Sequence, residues 1–316
     1  MSSSASAPDV TVVVVLYGTT PSTSLALTSL AESLGPQADR FAVEVHDNSP
    51  TPGEDRSVAG LTVAADVHHP DNPGLVVPYN LALAAAERRG SRWLMLLDQD
   101  TRVTREYIDE VVAFVEDETV PLRIAVAAPR LHDAEGVLSP HKPIRFEVRP
   151  LDVGRTYPPG SSYAYLNSGA VMRVTAARAV GGFPVEYPLD FLDHAMSARL
   201  KAAGYNLRTL SSALEHQLAA RDIESVPRVR LESIFRAEEQ YFATTPRSEA
   251  LWMIARRGAR GVLLVLRAHT SVHRHLELEA IRRGLHSLTA RRGRPTGGPT
   301  RSFDGSGQHR STRGDA

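Results

Sequence analysis

An open α/β sheet with helices on both faces is the fold class that the sequence predicts. Three observations predict it. Val10–Leu16 is an almost unbroken β-branched run, which suits a strand buried on both faces of a parallel sheet. Strand-like and helix-like segments then alternate over roughly the first 130 residues. Two polar clusters, Asp47-Asn48 and Asp98-Gln99-Asp100, fall at the carboxyl ends of expected strands, where such sheets bind ligands.

In chain order, Thr23–Leu34 has helical spacing through Leu27, Leu30 and Leu34, and Gly35-Pro36 ends it. Phe41–His46 alternates apolar and polar residues as a second strand and runs into the polar turn Asp47-Asn48-Ser49-Pro50. Leu61–Ala65 reads as a third short strand, and Pro78–Arg89 as a helix rich in Ala and Leu that Gly90 stops. Trp93–Leu97 is a fourth buried strand, Arg105–Glu116 a helix and Ile124–Ala128 another strand. Residues 131–166 hold many prolines and little periodicity, which predicts loops and short antiparallel strands. Tyr165–Val174 reads as a strand interrupted by Ser168-Gly169, Phe191–Ala203 as a helix stopped by Gly204, Leu207–Leu210 as a strand, and Val229–Phe242 as an amphipathic helix. Four parts are expected: a disordered 1–8, a catalytic domain over 9–245, a basic amphipathic helical extension over 246–290 and a disordered Gly/Arg/Ser/Thr/Pro tail over 291–316.

With 42% hydrophobic and 23% charged residues, a wholly disordered chain is excluded. The absence of cysteine excludes disulfides, cysteine-ligated zinc and thiol nucleophiles. No apolar run approaches the ~20 residues that cross a bilayer, and the start, MSSSASAPDV, lacks the basic-then-apolar order of a secretory signal. A soluble, cytoplasmic protein is expected. Net charge is zero, but Leu251 to the end carries 13 Arg against four Asp plus Glu. Such a basic end suits an anionic surface, which predicts peripheral contact with the inner face of the cell membrane. The competing reading is an apolar stripe packed on the domain or on a second copy as a homo-oligomer, with solvated arginines. A nucleic-acid partner is not expected, since the basic end lacks interleaved aromatics or a recognised motif.

Asp98-Gln99-Asp100 is the sharpest chemical feature. Two carboxylates one residue apart, just after the buried run Leu94–Leu97, suit a hard divalent cation such as Mn²⁺ or Mg²⁺ shared with a substrate phosphate. Other segments extend the pattern in order: Asn72-Pro73-Gly74 followed by Asn80, Asn167-Ser168-Gly169, Gly181-Gly182-Phe183, Asp190-Phe191-Leu192-Asp193, Arg199 with Gly204-Tyr205, and His216. Across about residues 10–220 this ordered set resembles the inverting nucleotide-sugar glycosyltransferases of family 2, which have the glycosyltransferase A fold. Within that family it is most similar to the rhamnosyltransferase-like bacterial members.

The resemblance implies roles. Asp47 and Asn48 would meet the nucleotide base, although an Asp before Asn is also a common turn. Asn72, Gly74 and Asn80 would line the nucleotide and diphosphate side, with Gln99, Ser168 and Gly169 also on the donor. Asp98 would contact the ribose or the metal, Asp100 the metal, and His216 the metal or diphosphate. Asp193 matches the catalytic base that takes the acceptor proton, with Asp190 as the alternative. The family often has an acidic residue two positions after the base; this chain has Ala195 there, preceded by His194. The implied reaction moves a sugar, rhamnose from dTDP-rhamnose being the first choice, to a hydroxyl of a cell-surface glycan or lipid-linked acceptor.

Two rivals use the same opening fold. A sugar-nucleotide pyrophosphorylase needs a Gly-rich loop after the first strand, whereas Tyr17–Pro21 has one glycine and no basic residue. A non-catalytic nucleotide-sugar-binding protein could dispense with the base, while Asp190, Asp193 and His216 together argue for an enzyme.

Overall fold

The computed structural model describes residues 7–144, 147–216, 228–244, 251, 253–255, 278–279 and 281–286. Its first half is a parallel layer. Strand β1 (Val10–Leu16) lies between β2 (Phe41–Asp47) and β4 (Trp93–Asp98), with β3 (Val63–His68) outside β2, all parallel. The remaining strands complete a ten-stranded mixed sheet. These are β5 (Thr101–Arg102), β6 (Ile124–Asp133), β7 (Gly136–Ser139), β10 (Thr156–Tyr157), β11 (Val171–Arg173) and β12 (Asn206–His216). A separate hairpin joins β8 (His141–Ile144) to β9 (Glu147–Pro150).

The helices that flank the sheet include α1 (Leu25–Leu34), α2 (Val76–Arg89), α3 (Arg105–Glu116), α4 (Val174–Ala179), α5 (Leu192–Ala202) and α6 (Arg228–Thr244). Alternation along β1 divides the core into two layers. Val13 and Val15 pack with Tyr79, Leu83 and Ala86 of α2, while Val10, Val12, Val14 and Leu16 pack with Leu27 and Leu30 of α1 and Ile108 and Val111 of α3. Burial on both sides is what the unbroken valine run demands. The chain reverses its lateral direction at β1, so the crevice of the sheet opens over the carboxyl ends of β1, β2 and β4. Register sets Leu16 beside Asp47 and Val15 beside Asp98, which brings both acidic strand ends to one edge.

Most expected elements stand where the sequence places them, with four informative differences. Strand β2 is buried throughout rather than half-buried: Glu44 and His46 bond to each other, and Glu44 also accepts from Arg89. Strand β3 begins later than Leu61, whose N–H closes a turn onto Val58 O. Of Tyr165–Val174 only Val171–Arg173 is a strand, because Gly169 has φ +71° and Ala170 N–H turns back to Asn167 O. Strand β12 continues to His216 instead of stopping at Leu210. It does so through an irregularity between Thr209 and Ala213, where the Glu110 carboxylate accepts from Ser211 N–H at 2.7 Å and Ser212 N–H at 2.8 Å. The expected tails and most of the basic extension at 246–290 lie outside the described residues. No helix among the described residues is long and apolar enough to cross a membrane.

Candidate active site

The turn after β4 is fixed from three directions. Gln99 O accepts Ala26 N–H and the Ser24 hydroxyl, each at 3.1 Å, which ties the turn to the start of α1. The Gln99 side chain accepts Tyr17 N–H at 2.7 Å and donates to Tyr17 O at 3.2 Å, so it clamps the end of β1. Asp98 N–H donates to Ser168 Oγ at 3.0 Å. With these anchors in place, both carboxylates and the end of β12 meet.

Asp98, Asp100 and His216 each offer one ligand atom, and these atoms lie within 4.8 Å of one another. His216 is oriented by Thr101, whose Oγ1 lies 2.8 Å from His216 Nδ1 and 2.6 Å from Ser168 Oγ. Because Asp98 N–H can only donate, Ser168 Oγ accepts it. The Thr101 hydroxyl thus bridges the Ser168 hydroxyl and the His216 ring. His216 Nε2 lies 3.9 Å from Asp98 Oδ2, and Nδ1 lies 3.5 Å from Asp100 Oδ1. Thr101 is fully buried, and it is the residue that sequence reasoning missed. Its role comes from the β5–β12 pairing of Thr101 with His216, which no local pattern announces.

Charge crowds this cluster. Burial first, then the neighbouring Asp100 and Asp193, push the Asp98 carboxyl up to about 6, although His216 works in the other direction. Burial also raises Asp100, against the pull of His216. The Tyr79 hydroxyl donates to Asp98 Oδ1 at 3.5 Å, and burial raises its own pKa so that it stays protonated. Two carboxylates and an imidazole, with negative charge in excess, form a donor set that fits Mn²⁺ or Mg²⁺.

Asp193 stands in the first turn of α5, 15% exposed. Burial alone would raise its carboxyl, but the charge and hydrogen bonds of His194 outweigh that and hold it below the usual range. Its charge contributes to raising Asp98, Tyr79 and Tyr165. Asp190 is paired differently: both its oxygens accept from the Arg230 guanidinium of α6. Between them Phe191 holds φ 61°, a left-handed backbone that is rare for a bulky residue.

The residues expected on the nucleotide side gather around the ends of β2 and α2. Asp47 is fully buried; Oδ1 accepts Ser49 N–H at 2.9 Å and Oδ2 accepts Arg56 at 2.7 Å. Asn48 donates through Nδ2 to Gly74 O at 2.8 Å, and its buried Oδ1 has no partner among the described residues. Asn72 is left-handed at φ 44° and its Oδ1 accepts Gly74 N–H. Gly74 has φ +75°, and a Cβ there would lie 2.3 Å from Pro188 O. Pro188 O in turn accepts Leu75 N–H and Val76 N–H, the donors at the start of α2. Asn80 is spent on structure, its amide bonding both N–H and C=O of Phe183. Gly169 is equally constrained: its φ is +71° and a Cβ would meet Leu214 and Pro129 at 2.8 Å. The buried Tyr165 hydroxyl and Asn167 Oδ1 have no hydrogen-bond partner among the described residues.

No protein-family model matches the chain, and no curated protein matches it. Solved structures do. TarS 1–349 of S. aureus in complex with UDP-GlcNAc is similar with TM-score 0.55 at 15% identity, over 89% of this chain and 82% of that one. Another structure of TarS 1–349 gives TM-score 0.46 at 14% identity, over 91% and 92%. A longer TarS chain gives 0.48 at 15% identity, over 88% of this chain and 53% of that one, so the present chain spans about half its length. At such identities the likeness shows the fold: a mostly parallel sheet flanked by helices, of the glycosyltransferase A type.

Proposed function

We propose that the chain is an inverting glycosyltransferase that moves a sugar from a nucleotide-sugar donor to a hydroxyl of a glycan or lipid-linked acceptor. One observation carries this reading: Asp98, Asp100 and His216 converge at the carboxyl end of β4, with the Asp193 carboxylate within reach of their charge. The neighbour of the same fold that was crystallised with UDP-GlcNAc supports a nucleotide-sugar donor.

Asp98, Asp100 and His216 would hold the cation. A bound divalent cation offsets the negative charge that grows on the diphosphate as it leaves. The protein's own groups do the rest. Asp47 and Asn48, at the end of β2, would meet the nucleotide, and Gly74, whose missing Cβ makes room for Pro188 O, would shape the loop beside them. Asp193 supplies the base side of the site, since an inverting transfer needs one proton acceptor and no covalent enzyme intermediate. Asp190 fits that role less well, because its two oxygens are committed to Arg230.

dTDP-rhamnose is our first choice of donor, on the resemblance of the motif set, and UDP-GlcNAc is its leading competitor. The test is a panel of dTDP-rhamnose, UDP-GlcNAc, UDP-galactofuranose and UDP-glucose, scored by release of nucleoside diphosphate with Mn²⁺, with Mg²⁺ and with chelator. Release from one donor, suppressed by chelator, is the expected result. No release from any donor with any acceptor glycan would overturn the reading.

A further inference from the structure

Helix α5 carries Asp193, yet its own sequence does little to start it. The residue before it, Phe191, holds φ 61° and ψ 8°, and its side chain does not cap the first turn. A helix start usually has an extended backbone and a short oxygen-bearing side chain at that position. A bulky residue persists in a left-handed conformation only where its surroundings impose it. Asp190, one residue earlier, is an acid that a helix N-terminus would attract. Its carboxylate turns instead to Arg230, whose Nη1 and Nη2 donate to separate oxygens, the latter at 2.7 Å. The acid is only 15% exposed, which shields the pair from the solvent that weakens surface ion pairs.

The rest of α6 grips the same segment. Arg230, Ala237, Tyr241 and Thr244 recur at helical spacing and so share one face of that helix. Thr244 Oγ1 lies 3.2 Å from the Tyr187 hydroxyl. The Tyr241 ring packs on Phe191 with centroids 5.3 Å apart and meets Tyr187 at 6.4 Å. The segment is also tied to α2, since Pro188 O accepts Leu75 N–H at 2.6 Å and Val76 N–H at 3.1 Å. Residues 187–191 are therefore held by two helices just before the chain enters α5, where Asp193 is the acid of the first turn.

We propose that Arg230 is a positioning residue for glycosyl transfer: through Asp190 it holds the Phe191 turn and so sets where the Asp193 carboxylate stands. The inference rests on the transfer reading above, in which Asp193 is the base. It makes Asp190 an anchor for the loop and not a second base. Two N–H···O bonds from one guanidinium fix direction as well as distance. Loss of Arg230 removes that constraint and leaves the Asp190 carboxylate without its partner, beside helix N–H groups that attract it. Asp193 then shifts relative to the acceptor, while the metal ligands at the ends of β4 and β12 keep their own contacts. A displacement of about 1 Å at a reacting group can lower turnover about 10²-fold.

The experiment uses the full chain with its metal, on the donor and acceptor that the wild type turns over. Arg230→Ala and Asp190→Ala are each expected to lower kcat by about 10-fold or more, with donor KM and nucleoside diphosphate affinity little changed. Because the two residues act as one unit, the double variant should lose no more than the worse single one. Arg230→Lys should recover only part of the loss, since an ammonium lacks the fork that meets both oxygens. Turnover of Arg230→Ala within a few-fold of wild type would overturn the proposal. So would losses that multiply in the double variant, or an Asp190→Ala enzyme that is inactive while Arg230→Ala is active, which gives Asp190 a role of its own. Nucleoside diphosphate binding by calorimetry reports on the folded donor side. Its loss in both Arg230→Ala and Arg230→Lys also counts against the proposal, because the pair then supports the domain and not the placement of Asp193. A wild type that neither binds nor releases nucleoside diphosphate overturns the transfer reading itself, a result that no Arg230 variant enters.

Discussion

Thr101 shows how one hydroxyl can organise a candidate metal cluster. It stands between Ser168 Oγ and His216 Nδ1, so it holds the ring in place and links it to the Asp98 backbone. A partner on the second nitrogen of a ligating histidine typically sets metal affinity by 10–100-fold. Thr101→Val keeps the shape and the buried methyl but removes the hydroxyl. We expect about a 10-fold or larger rise in the Mn²⁺ dissociation constant, measured by titration calorimetry on the folded variant, and an unchanged affinity would show that His216 is oriented by something else. At this scale the sequence was legible where chemistry is written in a run of residues. Asp98-Gln99-Asp100 could be read because two carboxylates follow a buried strand, and His216 because it closes an ordered set of motifs. Thr101 could not, because a threonine beside the cluster looks like any turn residue until β5 pairs with β12. Gln99 and Asn80 were legible as site neighbours but not in detail: their amides tie Tyr17 and Phe183 in place.

The elements that carry these side chains are held by polar contacts at their irregular points. Strand β12 reaches the cluster only because it survives the irregularity at Ser211-Ser212, whose N–H groups both land on Glu110 of α3. Glu110→Ala removes both acceptors at once. Loss of hydrogen bonds to a charged group costs about 1–3 kcal/mol, and here it should also loosen the segment that ends in His216. We expect a lower urea midpoint with an unchanged slope, together with weaker Mn²⁺ binding. An unchanged midpoint would mean that water replaces the carboxylate at no loss. This bridge explains why β12 was truncated in the sequence reading: a serine pair looks like a strand end, and its rescue comes from a helix about a hundred residues earlier. By contrast, β1, α3 and β4 were legible almost to the residue, since β-branched runs and helical apolar spacing report burial directly.

The whole molecule balances two sets of carboxylates that respond to pH in opposite ways. Glu44, Asp47 and Asp193 meet burial that would raise them, yet their hydrogen bonds and cationic partners hold them below the usual range. Their contribution to stability is present above pH ~4 and is lost as pH falls through their folded values. Asp98 and Asp100 lie on the other side, raised by burial, Asp98 to about 6. The stability they contribute is full below the unfolded value near 4 and is lost as pH rises toward 6. At neutral pH the metal-free protein therefore keeps ionised carboxylates crowded in its cleft, and a cation relieves them. Mn²⁺ should then raise the melting temperature more at pH 7.5 than at pH 5, because protons compete for the same ligands at the lower pH. A metal at about 100-fold over its dissociation constant adds roughly 2.7 kcal/mol, a shift of several degrees for a domain of this size. Taking the difference between metal-bound and metal-free samples at each pH cancels the titration of groups common to both. Equal Mn²⁺ increments at the two pH values, or an increment that survives in Asp98→Asn/Asp100→Asn, would place the cation elsewhere and separate the Asp98–Asp100–His216 cluster from metal binding.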